Sequence, residues 1–331
     1  MSSTGNPAAI PTSLESGNEP VIGLTLGDPA GVGPELALAA LKSLPEVRPV
    51  RLYGPGPLVD AIARAAGRCE ACPTTESIDG IEPGRYSAAS GRAALAALDR
   101  AARDLAAGGI GALVTGPLDK RAFRDAGDPS PGQTEFVARV CGVDRFAMLL
   151  AGPRLRVALV TRHLALREVP DAITPGAVVE TARLLADHLT RFEGIPRPRI
   201  AVLGINPHAS DDGRFGDEEA RVLAPALDRL REDGTAVEGP LPADTAFHRA
   251  WEGEFDAVVA MFHDQGLGPL KLVHFRDAVN VTLGLPRLRV SPDHGPAFDR
   301  VGQGTADPSS FREALRLAAR SCARKPGSPG S

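Results

Sequence analysis

LRVALVTRH (residues 155–163), PGAVVETARLLADHLTRF (175–192) and RIAVLGINPH (199–208) together decide the fold. The two outer segments are short runs of Val, Leu, Ile and Ala, the pattern of strands buried on both faces. Between them Val178, Ala182, Leu185, Leu189 and Phe192 recur at steps of four and three, which is one face of a helix. Strand, helix and strand in that order make a parallel crossover unit. The same alternation extends in both directions: VIGLTL from Val21, VRLYG from Val50, ALVTGP from Ala112, MLLAG from Met148, DAVVAMF from Asp256 and AVNVTLGLP from Ala278 read as strands. A final helix carries Phe311, Leu315, Ala318 and Cys322 on one side. The expectation is an α/β architecture with a largely parallel sheet covered by helices.

A chain of 331 residues is long for one ordinary core and suits two packed lobes. No repeat of 20 to 50 residues and no internal Gly/Ser tether is present, so two lobes would share a sheet or crossing strands. The weakest boundaries are DPSPG at 128–132 and the Gly- and Pro-rich turn at 284–292. They suggest a first lobe of 20–131 plus 287–324, a second of 132–286, and flexible ends at 1–19 and 325–331. A formal charge of −4 argues against nucleic acid or anionic lipid as a partner. No apolar run reaches the roughly 20 residues of a membrane span, and the polar start lacks a secretory pattern, so a cytoplasmic location is expected. Cys69, Cys72, Cys141 and Cys322 are too scattered for a disulfide framework, and the CxxC reads as an incidental pair at a helix end. Only four lysines stand against 33 arginines, which makes each lysine worth inspecting.

Three of the seven histidines share one local grammar: His163, His208 and His263 each follow an apolar strand. Ligands gather beyond the carboxyl ends of strands in open α/β sheets, and three neutral imidazoles suffice to hold a divalent metal. The alternative is that each caps a strand or bonds a loop carbonyl. His188 reads as a solvated helix residue, His248 and His274 as packing or surface residues, and His294 as a possible lining of a Gly/Pro loop beside Asp293. Lys120, Lys271 and Arg289, with Asn280 on the neighbouring strand, are candidate anion ligands. Gln133 and Thr134 open a helix, where Thr134 can cap it or turn toward a ligand. The first glycine-rich turn, GDPAGVGPE at 27–35, lacks the third glycine and the following acid of the dinucleotide fingerprint.

With these residues in view the chain resembles the 4-hydroxythreonine-4-phosphate dehydrogenases of the pyridoxal phosphate pathway. The resemblance runs from about Val21 to Ala323 and rests on LGDPAGVGPE, TGPLDK, GQTEF, RHLALREVPDAIT, GINPHASDDGRFGDEE, GPLPADTAFH, MFHDQGLGPLK, VNVTLGLP and SPDHGPAFDRVGQGTADPSS, in that order. It implies a two-lobed fold like that of isocitrate and isopropylmalate dehydrogenases, with the active site in the cleft between lobes. It implies a homodimer in which both subunits build each metal site, with His163, His208 and His263 as ligands of zinc, magnesium or cobalt. It carries substrate binding to Gln133, Thr134, Lys271, Asn280 and Arg289, makes Lys271 a catalytic group, and leaves Asp244 or Asp264 to orient a histidine. The implied reaction is oxidation of 4-phosphooxy-L-threonine by NAD or NADP, then decarboxylation to 3-amino-2-oxopropyl phosphate.

The family usually has histidine where this chain has Gln133, which keeps a neutral hydrogen bond but cannot take a proton near neutral pH. The substrate alternatives within the family are sugar-acid phosphates and an aromatic cis-dihydrodiol dicarboxylate. A metal-dependent hydrolase is the remoter reading of the same three histidines.

Overall fold

The computed structural model describes residues 20–47 and 49–324, so the expected flexible ends lie outside the described residues. Eleven strands appear among them: β1 Ile22–Thr25, β2 Val50–Pro55, β3 Cys69–Thr75, β4 Ala112–Thr115, β5 Ala147–Ala151, β6 Arg156–Leu159, β7 Ile200–Leu203, β8 Val237–Leu241, β9 Ala257–Ala260, β10 Val279–Leu283 and β11 Leu288–Pro292. They form one sheet in the order β3-β2-β1-β4-β11-β10-β5-β6-β9-β7-β8. The outer blocks, β3-β2-β1-β4-β11 and β6-β9-β7-β8, are parallel throughout. The central pairings of β10 with β11, β10 with β5 and β5 with β6 are antiparallel. The expected α/β fold with a mostly parallel sheet flanked by helices is what the structure shows. No helix among the described residues is long and apolar enough to cross a membrane.

The core divides unequally across the two faces. One face packs a continuous apolar layer from end to end, including Ile22, Val114, Val259, Val281 and Val290, beneath the helices that carry Leu41, Leu185, Leu227 and Phe311. On the other face there are two separate cores. Leu98, Leu105 and Phe136 pack over Tyr53 and Leu113 in one half, and Phe247 and Leu270 pack over Leu150 and Val258 in the other. Between them lie β10 and β11, whose sequences VNVTL and LRVSP alternate apolar and polar residues. Arg289 pairs with Leu113 and Asn280 with Leu150, so the polar set Asn280, Thr282, Arg289 and Ser291 faces the gap between the two smaller cores. Period-two patterning thus gives the sheet a polar floor where neither core covers it.

Three readings need correction. The turn-rich segment 284–292 contains β11, a central strand: Pro286 belongs to the connection, and Pro292 closes the strand. Cys69 and Cys72 lie on β3, not at a helix end, and they pack against different cores. A three-residue step along a strand sends side chains to opposite faces, so this CxxC cannot close on a metal or on itself. His188 is buried, with 2% of its side chain exposed, because the helix Pro175–His188 turns there into the π-helical segment Leu189–Glu193.

That turn brings Glu193 under the sheet against Arg156 (Nη2–Oε2 2.6 Å) and His188 (Nε2–Oε1 3.3 Å). Burial pushes the Glu193 carboxyl up, but His188 and Arg156 outweigh it and hold it at about 2. A carboxyl depressed in the folded state contributes stability above its unfolded value near 4.5, and loses it as pH falls toward 2. Glu193→Gln is expected to cost about 3 kcal/mol at pH 7 by urea denaturation, and clearly less at pH 3. An equal cost at both pH values would show that the ion pairs do not carry the effect.

Candidate functional site

Arg289 organises the polar floor. The residue is 2% exposed, yet every hydrogen-bond partner it has among the described residues is neutral. Nη1 donates to Thr282 Oγ1 (3.1 Å) and Thr134 Oγ1 (3.3 Å), and Nη2 to Thr115 Oγ1 (2.6 Å) and Gln133 Oε1 (3.3 Å). Nε has no partner. Burial lowers the guanidinium to about 10, against the opposing pull of Glu135, so it remains a cation at neutral pH. A buried charge without a counter-ion costs several kcal/mol, and an anion entering the gap would offset that cost.

Gln133 holds this arrangement from the side. Its Nε2 donates to Gly116 O (3.1 Å) while Oε1 accepts from Arg289, so both ends of the amide are assigned. Thr134 does not cap its helix, Gln133–Val140: the N-cap is Gly132, with no side-chain bond. The Thr134 hydroxyl turns instead to Arg289. Thr115 and Thr282 were not singled out by sequence, although Thr282 occupies the same alternating face as Asn280 and was legible there.

Asn280 places on the same face a buried Oδ1 that has no hydrogen-bond partner among the described residues. Lys271, in the helix His263–His274, pairs with Asp293, whose backbone N–H is fixed on Ser310 Oγ at 3.0 Å. The pair joins the second half of the sheet to the segment after β11.

The three histidines leave three adjacent parallel strands, β6, β9 and β7, at their carboxyl ends. His163 and His263 come together, their ring centroids 5.7 Å apart. Two imidazoles sharing one tetrahedral ion have centroids about 5 Å apart, so this pair fits a common metal. Asp264 Oδ1 lies 2.8 Å from His263 Nδ1, which favours a proton on Nδ1 and leaves the lone pair on Nε2. Partial burial lowers the basicity of His163, although the residue stays exposed, and the charges of Lys120, His263 and Arg162 lower it further. That favours the neutral imidazole a metal requires. Arg162 Nη1 sits 3.4 Å from Glu135 Oε1, which ties this histidine pair to the Gln133 helix and the Arg289 floor.

His208 stands apart, its ring 6.5 Å from Phe215, and among the described residues of one chain no three His, Cys, Asp or Glu side chains group for a metal. Within one chain the described residues bring His163 to His263 and not His208, whereas the site expected from the resemblance is one that both subunits build. Asp244 lies in the first turn of the helix Ala243–Trp251 and accepts from the Thr245 N–H at 2.9 Å. His294 bonds Gly295 O through Nδ1 (2.9 Å), and its buried Nε2 has no partner among the described residues. The glycines of 27–35 serve close packing: a Cβ on Gly27 would meet Pro117 O at 2.3 Å, and one on Gly33 would meet Leu26 O at 2.1 Å. This turn is a packed corner, in line with its incomplete dinucleotide pattern.

The family described as pyridoxal phosphate biosynthetic protein PdxA matches residues 40–318 of the chain. A 4-hydroxythreonine-4-phosphate dehydrogenase of Bradyrhizobium diazoefficiens is 43% identical, covering 92% of this chain and 97% of its own length. One from Geobacter metallireducens is 44% identical, over 94% of this chain and 98% of its own. The solved structure of the Klebsiella pneumoniae 4-hydroxythreonine-4-phosphate dehydrogenase superposes with a TM-score of 0.83 at 36% identity, covering 92% of this chain and 99% of that one. A terephthalate 1,2-cis-dihydrodiol dehydrogenase from Burkholderia xenovorans superposes with a TM-score of 0.70 at 30% identity, covering 91% of this chain and 98% of that one. With a family match across most of its length and relatives above 40% identity over nine-tenths of it, the chain belongs to the PdxA family.

Proposed function

We propose that this protein is a metal- and NAD-dependent dehydrogenase that oxidises 4-phosphooxy-L-threonine and decarboxylates the product to 3-amino-2-oxopropyl phosphate. The observation that carries this reading is Arg289, a buried cation ringed by hydroxyls and an amide with no carboxylate. Such a site suits a phosphate, whose oxygens would meet the open Nε and the threonine hydroxyls. The names of the relatives agree with a phosphorylated hydroxy acid.

In this reading Gln133 and Thr134 hold Arg289 in orientation for the phosphate, and the orphaned Asn280 Oδ1 accepts from the substrate's ammonium or hydroxyl. Lys271, already facing Asp293 across the gap, supplies the cation for the substrate carboxylate. Asp264 keeps the proton of His263 on Nδ1. His163 and His263 of one chain, with a His208 contributed across a homodimer, would hold the divalent ion. When bound, that ion supplies Lewis acidity to the alcohol and then to the keto group. NAD would supply the hydride acceptor.

Exposed Leu164, Leu166, Phe215, Leu272 and Phe275 lie near the histidines in sequence, with Leu272 85% and Phe275 77% exposed. Apolar residues so placed support a second copy covering this face. The two halves, 20–131 with 287–324 and 132–286, would close on the gap they border.

NADH formation with 4-phosphooxy-L-threonine, and with 4-hydroxythreonine lacking the phosphate, tests the proposal. The phosphorylated substrate should turn over at least 100-fold better in kcat/KM, and chelation should stop the reaction. Equal turnover of both substrates, or none with any phosphorylated hydroxy acid, would overturn it.

A further inference from the structure

We infer that Glu219 is a positioning residue that sets the backbone of the His208 turn and through it the reach of that imidazole. The inference rests on the proposed metal site and adds to it a residue outside the ligand set. His208, Ala209, Ser210, Asp211 and Asp212 have φ of 53°, 52°, 71°, 46° and 55°, five consecutive non-glycine residues in the left-handed region. Side chains disfavour that region at each step, so such a run persists only where its surroundings hold it.

Glu219 is what holds the start of the run. It is 4% exposed, at the beginning of the π-helical segment Glu219–Leu223. Its Oε1 accepts from the backbone N–H of Ile205 and of Asn206, both at 2.7 Å, and Oε2 accepts from Asn206 Nδ2 at 2.9 Å. Asn206 Nδ2 also reaches Glu218 Oε2 at 2.7 Å. One carboxylate thus fixes two successive peptide planes, with charge-assisted bonds, at Ile205 and Asn206, from which Pro207 leads into the left-handed run. The fit is close: a Cβ on Gly204 would lie 2.9 Å from Ala209 Cα and 3.1 Å from Glu219 Oε1. Gln265 ties the same strand end to its neighbour, donating to Gly204 O (2.7 Å) and accepting from Met261 N (2.7 Å) two residues before His263. The direction in which His208 leaves β7 is therefore set by Glu219 relative to the strand that carries His263.

Residues that orient a ligand typically change metal affinity 10- to 100-fold when altered. The test is zinc affinity of the full-length protein, measured by competition with a chromophoric chelator. Glu219→Gln should bind zinc at least tenfold more weakly while its far-ultraviolet circular dichroism stays that of the folded protein. Adding Ala209→Gly, which removes the left-handed penalty at that position, should recover at least threefold of the loss. A defect of general stability would instead appear as a lowered melting temperature of Glu219→Gln, measured beside the zinc affinity. Zinc affinity unchanged in Glu219→Gln, with His208→Ala losing it, overturns the positioning role alone. Unchanged affinity in His208→Ala overturns the metal reading and the positioning role with it. If Glu219→Gln does not fold, Glu219→Asp, one methylene too short to reach the Ile205 and Asn206 N–H groups together, is read in its place. A threefold or greater loss is then expected, and an unchanged value overturns the inference.

Discussion

His263→Ala, and separately His163→Ala, should lower turnover at least 10³-fold and remove bound metal, while leaving a protein that melts within a few degrees of the parent. The argument begins with exposure. The His263 side chain is 38% exposed and His163 lies at the surface, so neither supports the core. Surface substitutions of that kind usually cost no more than about 0.5 kcal/mol. Their value lies in the pairing, rings 5.7 Å apart with Asp264 on the far nitrogen of His263. Losing one donor from a ligand set weakens the ion's hold and its power to acidify an alcohol. Metal content by elemental analysis, turnover and thermal melting should therefore separate cleanly. A variant that kept full turnover after dialysis against chelator would remove the histidine pair from the mechanism.

Arg289→Met should reduce kcat/KM for the phosphorylated substrate by about 10² to 10³, the equivalent of about 3–4 kcal/mol for charge-assisted bonds to an anion. The same change should leave the ligand-free protein at least as stable as the parent. A buried cation with only neutral partners is a burden on the folded state, and an apolar side chain of similar length relieves it. Inorganic phosphate should raise the melting temperature of the parent and leave that of Arg289→Met unmoved, because only binding to the folded state stabilises it. Arg289→Lys keeps the charge but cannot fork toward Thr115, Thr134, Thr282 and Gln133 together, so it should recover only part of the activity. An Arg289→Met protein that unfolded at lower temperature and still responded to phosphate would make this arginine structural.

Much of this protein is legible locally. Eight of the eleven strands stand out as apolar runs, and the α/β class follows from their alternation with helical periodicity. β3, β8 and β11 escape because their sequences, CEACPTT, VEGPL and LRVSP, carry Pro, Gly or charge. Edge position explains the first two: with only one neighbour each, they tolerate what an interior strand does not. β11 is central, and it escapes because its polar face is the floor of the site.

Residue chemistry alone determined the candidates: imidazoles after strands, an arginine and an asparagine two apart from further polar residues on alternating strands, a glutamine before Thr134. Strand-end position could not say which histidines meet, because a strand's neighbours depend on pairings between segments a hundred residues apart, such as β10 with β5 and β6 with β9. Those pairings leave the sheet centre bare between two cores, bury Arg289 without a counter-ion and draw His163 to His263 while leaving His208 aside. Burial and proximity are properties of the packed chain, so only the tertiary structure decides which polar groups lose water and which of them face each other.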